Sequence, residues 1–292
     1  MVLMHTNDTS GLYKATMVDH YRIHYELILV AIFVVLLLGF AGWKGLRSIV
    51  SFAFTAMAIF KIMIPMILEG VNPILTGAAI TGITSVVIIL MVYGLSKEFV
   101  VASMGSLIGT IFTVTLAIIF VKLFKINGAV MEGSESLLFA GFGHLDLTSI
   151  FISSIFLGAS GAITDVAVDI ISALQEIIEK KPDISKNEAI RSGFVIGKNN
   201  AATMTTTLLT AYSGGYLGML MVFVAQGTPL INILNLNYIA AEILNTMVGS
   251  IGLTAVAPLT AIVGGISLTH KPEQRGKLPT KVQNNEEISE QN

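Results

Sequence analysis

The chain has 292 residues, 53% of them apolar and only 12% charged, with no cysteine and a formal net charge of −2. An ordinary soluble domain is about 25% charged, so this composition is that of a polytopic membrane protein. Disulfides and thiolate metal sites are excluded, and the weak net charge argues against a nucleic-acid partner. The lipid bilayer is the first partner to expect.

Residues 1–24 lack an apolar core beside a small-residue cleavage site. They are expected to form a short extracytoplasmic segment, with no cleaved signal peptide. Seven apolar segments then follow, each long enough to span when about 20 residues cross the hydrocarbon. They lie near 26–43, 48–68, 74–95, 99–121, 147–172, 200–225 and 238–268. The first contains the uninterrupted run Leu27–Leu38 and ends at Trp43, an interfacial anchor, and Lys44 and Arg47 mark a tight charged turn after it. The second carries Lys61, which either pairs with a carboxylate or, favoured here, snorkels toward the outer surface. Residues 122–146 read as a mixed loop. The fifth segment is expected to overshoot the bilayer through its charged end at 172–181, and 182–198 reads as a polar connector. Residues 271–292 read as a disordered tail.

The fold expected is therefore all-α, a transmembrane bundle of about seven spans occupying 25–270. Twelve of the 17 basic residues fall at 44–47, 97, 180–198 and 271–281, against four on the opposite side, Lys14, Arg22, Lys122 and Lys125. The positive-inside rule then places the N-terminus outside and the C-terminus inside.

Chemistry-bearing residues concentrate in the last three spans. Asp165 and Asp169 are four apart and share one face of a helix. At ~1.5 Å per residue from Thr148, Asp165 lies roughly 25 Å into the span, where a carboxylate costs at least ~2.5 kcal/mol. It is either an ion- or proton-coupling group or a hydrogen-bonded structural acid. Asp169 is either its companion or a solvated carboxylate at the helix end. The preceding Gly158-Ala-Ser-Gly-Ala162 permits close helix contact, so Asp165 is expected to face the bundle interior.

In the sixth span Asn199, Asn200, Thr203, Thr206, Thr207 and Thr210 form a polar stripe. They line a path beside Asp165, or they form a threonine-rich packing face whose hydroxyls bond their own helix. Tyr212 and a kink at Ser213-Gly-Gly215 would sit near the outer end. In the seventh span Glu242 and Asn245 stand three apart near the outer entrance, as part of the same polar ladder or as interfacial residues. Such a ladder suits proton or cation passage. Hydrolase, zinc-protease and nucleotide-loop motifs are missing. His20 and His24 are better read as solvent-facing than as metal ligands. Neither an enzyme nor a cofactor is expected.

Four stretches carry a family resemblance. They are 158–169 with the following Ser172-Ala-Leu-Gln-Glu176, then Gly197-Lys-Asn-Asn-Ala-Ala-Thr-Met-Thr-Thr-Thr-Leu208, then Ala211-Tyr212. The last and most specific is Ala241-Glu-Ile-Leu-Asn-Thr-Met-Val-Gly-Ser-Ile-Gly252 with Pro258-Leu-Thr260. Here the chain resembles the YibE/F-like bacterial membrane proteins, of the short YibF type, over roughly 25–268. The family usually has Arg-Asp where this chain has Lys198-Asn199, so position 199 carries no charge here. The resemblance implies a multi-pass bacterial plasma-membrane protein acting with a YibE-type partner or as a homo-oligomer. A shorter stretch, Ile163-Thr-Asp165 with the charged connector and the threonine-rich helix, is similar to the proton-driven SecD/SecF proteins. By that analogy the chain is expected to be a transport or efflux subunit coupled through intramembrane carboxylates. The alternative is a scaffold that assembles a YibE-type partner.

Overall fold

The computed structural model describes residues 2–6, 13–17, 20 and 22–269. It divides into two compact units, one up to Ala53 and one from Phe54 onward. The expected tail 271–292 lies outside the described residues.

The first unit opens with a feature that residue spacing did not announce. Strands β1 (Val2–Thr6) and β2 (Tyr13–Met17) pair antiparallel, Val2 opposite Met17 and Thr6 opposite Tyr13. Among the described residues everything else is helical or connecting. Helix α1 (Ile23–Ala58) contains a break at Gly42, whose φ of 52° and ψ of −126° lie outside helical space. A side chain is disfavoured in that backbone region, which glycine enters freely. The chain bends back sharply there: a Cβ on Gly45 would stand 2.6 Å from the Leu37 carbonyl oxygen. In a straight helix those residues would be about 12 Å apart along the axis. The expected turn at Lys44 and Arg47 is thus corrected to Gly42, with both basic residues inside the following helix.

In the second unit, a π-helical turn at Ile59–Met63 leads into α2 (Ile64–Leu68). Lys61 is exposed on that turn, a position compatible with snorkelling. Helix α3 (Pro73–Tyr93) begins where the Asn72 side-chain oxygen accepts from the Ile74 and Leu75 amides, and Pro73 occupies the first turn. Helix α4 (Lys97–Phe124) is capped by the Ser96 hydroxyl, which accepts from the Phe99 amide at 3.2 Å. The loop after it is less irregular than expected, for it holds a 3-10 turn at Gly128–Val130 and the short helix α5 (Ser134–Phe139).

Helix α6 (Leu147–Lys180) has 34 residues and overshoots a bilayer, as its amphipathic end implied. The expected polar connector at 182–198 is mostly helix instead. Ser185 and Glu188 form a reciprocal capping box that starts α7 (Lys186–Gly215). A bend of 64° follows, close to the expected kink, and α8 (Leu217–Ala225) leaves from it. After α9 (Leu230–Leu234) comes α10 (Asn237–Leu268), with Pro258 inside.

Helix α10 packs against α7, α4 and α6. Ile163, Ile170 and Leu174 of α6 and Leu253, Val256 and Ala261 of α10 belong to one buried cluster. The α7–α10 approach depends on missing side chains: a Cβ on Gly193 would meet Ala261 Cβ at 2.9 Å, and one on Gly197 would meet Ala257 Cβ at 3.0 Å. Small residues at four-residue spacing let helix backbones approach this closely in a membrane. Among the described residues, five helical stretches are long and apolar enough to cross a membrane, or six if α7 and α8 form one bent span.

Candidate functional site

The site is built on α6. Between Phe151 and Ser172 its exposed positions are Ser154, Gly158, Gly161, Asp165, Asp169 and Ser172. No large apolar side chain interrupts this stripe over about 27 Å of helix. The lipid-compatible pattern is visible on neighbouring helices. Exposed positions of α4 include Val100, Met104, Ile111 and Ile119, and those of α10 include Met247 and Ile262. The expectation that Asp165 faces the packed interior is therefore corrected. Ile163, Thr164, Val166 and Ala167 take the interior positions, and Asp165 stays on the open stripe. A helix alternates faces every few residues, and the larger apolar residues have claimed the core.

Helix α7 flanks the stripe at both ends. Asn200 Nδ2 donates to Asp169 Oδ2 at 3.2 Å. Toward the other end the Tyr212 hydroxyl lies over Gly158, 2.7 Å from where a Cβ would stand. Asn199, Thr203, Thr206, Thr207 and Thr210 lie along α7, and Thr203, Thr206, Thr207 and Thr210 line a shallow open groove with Ala202 and Ala211. Each of these four hydroxyls donates to a carbonyl of its own helix, at 2.9–3.3 Å. Their donors are satisfied, and what they offer outward is acceptor lone pairs and methyl groups.

Helix α6 is anchored to its neighbours by hydroxyls that sequence reasoning missed. Tyr93 donates to the Val168 carbonyl at 2.7 Å and sits 2.7 Å from Ser172 Oγ. Thr164 Oγ1 lies 3.0 Å from Ser85 Oγ and 3.2 Å from Ser106 Oγ. These bonds tie α6 to α3 and α4 and fix the rotation that turns Asp165 outward. A tyrosine at a helix end opposite a small polar residue was the available signal.

Glu242 and Asn245 belong to a separate cluster. Glu242 accepts from the Tyr216 hydroxyl at 2.9 Å, which joins α10 to the α7–α8 bend. Asn245 Oδ1 is buried without a hydrogen-bond partner in the structure. No described contact links Glu242 to Asp165. Outside the spans, Asp146 caps α6: its Oδ2 accepts from the Ser149 hydroxyl at 2.5 Å, and its Oδ1 accepts from the Thr148 and Ser149 amides. The Ser149 hydroxyl foremost, then these amides, hold its carboxyl below the ordinary aspartate range against the opposing effect of burial. Among the described residues no cluster of three or more His, Asp or Glu could hold a metal ion.

Long apolar helices around one polar transmembrane stripe define a multi-pass helical membrane protein. A family model described as YibE/F-like protein matches residues 29–270, and the chain belongs to that family. No curated protein and no solved structure matches it.

Proposed function

We propose that the chain is a subunit of a proton- or cation-coupled transporter in a bacterial plasma membrane. The observation that carries this is the uninterrupted polar and small-residue stripe of α6, with Asp165 near its middle. A carboxylate held at bilayer depth on an open polar face is a group to which a proton or cation can be delivered and from which it can leave. Asp165 loads and releases the ion. Asp169, tethered by Asn200, orders the cytoplasmic end, and the Thr203–Thr210 face borders the approach. Glu242 with Asn245 and Tyr216 forms the outer gate. No covalent chemistry is involved.

The topology that suits this role has seven spans, with the N-terminus outside and the C-terminus inside. The 46 residues Ile23–Leu68 would extend about 69 Å as one helix, more than twice the ~30 Å hydrocarbon. The sharp bend at Gly42 favours two passes, and the basic asymmetry gives the sense.

A specific observation favours a second role, a scaffold for a YibE-type partner: the threonine hydroxyls already bond their own helix. The full chain in proteoliposomes loaded with a pH-sensitive dye, under an imposed potassium diffusion potential, separates the two. For a transporter, Asp165→Asn lowers proton uptake at least tenfold while the protein still inserts and folds. Unchanged uptake with Asp165→Asn, together with failure of partner co-purification, would establish the scaffold role.

A further inference from the structure

Where the turn at 94–96 joins α3 to α4, the start of α4 and the end of α10 border an open groove of about 580 Å³. Ser96, Lys97, Val100 and Met104 line it, with Ser267 of α10. Helices α4 and α10 run antiparallel in close contact: a Cβ on Gly105 would meet Thr260, and one on Gly109 would meet Val256. The first turn of α4 therefore lies beside the last turn of α10, and the groove opens where two long apolar helices end. Its polarity is graded along the helix axis. Ser96, Lys97 and Ser267 stand at the end, and Val100 and Met104 follow about 4.5 and 10.5 Å inward from Lys97. The exposed apolar lane then continues through Ile108 and Ile111. Lys97 is exposed, and among the described residues it makes no ion pair. No acidic residue lines the groove, and Glu98 lies about 100° further round α4. A lysine in the first turn of a helix adds to the positive end of its dipole, so the polar end of the groove calls for an anion.

We propose that this groove binds an anionic phospholipid, with the phosphate against Lys97 and an acyl chain along Val100, Met104 and Ile108. Basic groups at the ends of membrane helices attract acidic headgroups, and here the cation stands directly above an apolar lane. The Ser96 oxygen accepts from the Phe99 amide, which leaves its proton free for a phosphate oxygen, and the Ser267 hydroxyl is a second donor. A zwitterionic lipid brings its own ammonium beside Lys97 and loses the advantage. A free phosphate would satisfy Lys97 and leave the apolar lane unused, so the graded polarity selects a lipid. The site shares no residue with the α6 stripe and is independent of the transport reading.

Native mass spectrometry of the full-length chain, released from detergent and titrated with dioleoylphosphatidylglycerol or dioleoylphosphatidylcholine, tests this. The first phosphatidylglycerol is expected to bind at least fivefold more tightly than the first phosphatidylcholine. Lys97→Gln should abolish the difference and Lys97→Arg should keep it; Lys97 is exposed, so both substitutions are tolerated. Lys198→Gln removes the same charge from an exposed position on α7 and should leave phosphatidylglycerol binding within twofold. Ser267→Trp keeps every charge but fills the polar end of the groove, and it should weaken phosphatidylglycerol at least fivefold. Millimolar inorganic phosphate should not displace the lipid. Equal affinity for the two lipids, or equal losses with Lys97→Gln and Lys198→Gln, would overturn the site. Unchanged binding with Ser267→Trp would place the lipid outside the groove, and displacement by phosphate would reduce it to a simple anion site; either result overturns the proposal.

Discussion

The amide of Asn200 donates to Asp169 across the α6–α7 groove at 3.2 Å. This bond joins two antiparallel helices beside the open stripe of α6. The bond lies on the open side, so it positions the helices more than it buries a pair, and interhelical hydrogen bonds in membranes average only about 0.6 kcal/mol. Asn200→Leu should lower stability by about 1 kcal/mol or less. Its larger effect should be on exchange: amide protection in α7 near 200 should fall before that of α10. Hydrogen exchange in lipid nanodiscs with mass-spectrometric readout measures both, and uniform protection in the variant would show the bond to be incidental.

Tyr216 does a comparable job at the other end. Its hydroxyl reaches Glu242 at 2.9 Å from the point where α7 bends by 64° into α8. Tyr216→Phe keeps the ring packing and deletes one hydrogen bond, with an expected cost of about 1 kcal/mol. Glu242→Gln preserves an acceptor and should cost less. Thermal unfolding in one detergent ranks the three proteins, and a Glu242→Gln protein less stable than Tyr216→Phe would contradict the assignment.

Much of this arrangement was legible in residue spacing, and the failures have physical causes. Helices with continuous apolar length announced themselves, as did Asp165 and Asp169 on one face and the bend beside Ser213-Gly-Gly215. The direction of the Asp165 face did not. The run Gly158-Ala-Ser-Gly-Ala162 can close against a helix or leave a groove, and small residues allow both. The choice rests on distant bonds such as Tyr93 to Val168. At 182–198 polarity suggested a connector, although Ser185-Lys-Asn-Glu188 is a capping-box pattern that marks a helix start. The charges of Lys44 and Arg47 suggest a turn, whereas the chain turns where its backbone tolerates a positive φ, at Gly42.

The α7–α10 contact gives a steric prediction. Gly197 faces Ala257, and a Cβ there would also approach Ile170 at 3.3 Å. Gly197→Leu puts a whole side chain where a single carbon barely fits, and overpacking of this kind costs typically ~1–3 kcal/mol. Gly161→Ala, on the open stripe, has no such neighbour and should change stability by less than about 0.5 kcal/mol. Comparing their midpoints of unfolding tests the helix faces directly. Equal losses would mean that Gly161 is already covered by something as close as Ala257 is to Gly197.

The cap of α6 supplies the pH dependence. The Asp146 carboxyl is held below its ordinary range, first by the Ser149 hydroxyl and then by the Ser149 and Thr148 amides. A group whose folded value is depressed contributes stability that is fully present above its unfolded value, near ~3.9. That contribution is lost as the pH falls through the lower folded value. Between about pH 8 and pH 5 the cap should therefore be constant, with the loss confined to more acid solution. Because Asp146 is largely solvent-facing, the effect is screened and small. Asp146→Asn retains a capping oxygen without the charge, so it should flatten the acid limb while unfolding near the wild-type temperature at neutral pH. Asp146→Ala should cost about 1 kcal/mol at neutral pH, and less in acid, where the wild-type cap is already weakened. A thermal-unfolding series from about pH 3 to pH 8 on the three proteins measures this. An Asp146→Asn protein with the wild-type acid limb would place the responsible carboxylate elsewhere.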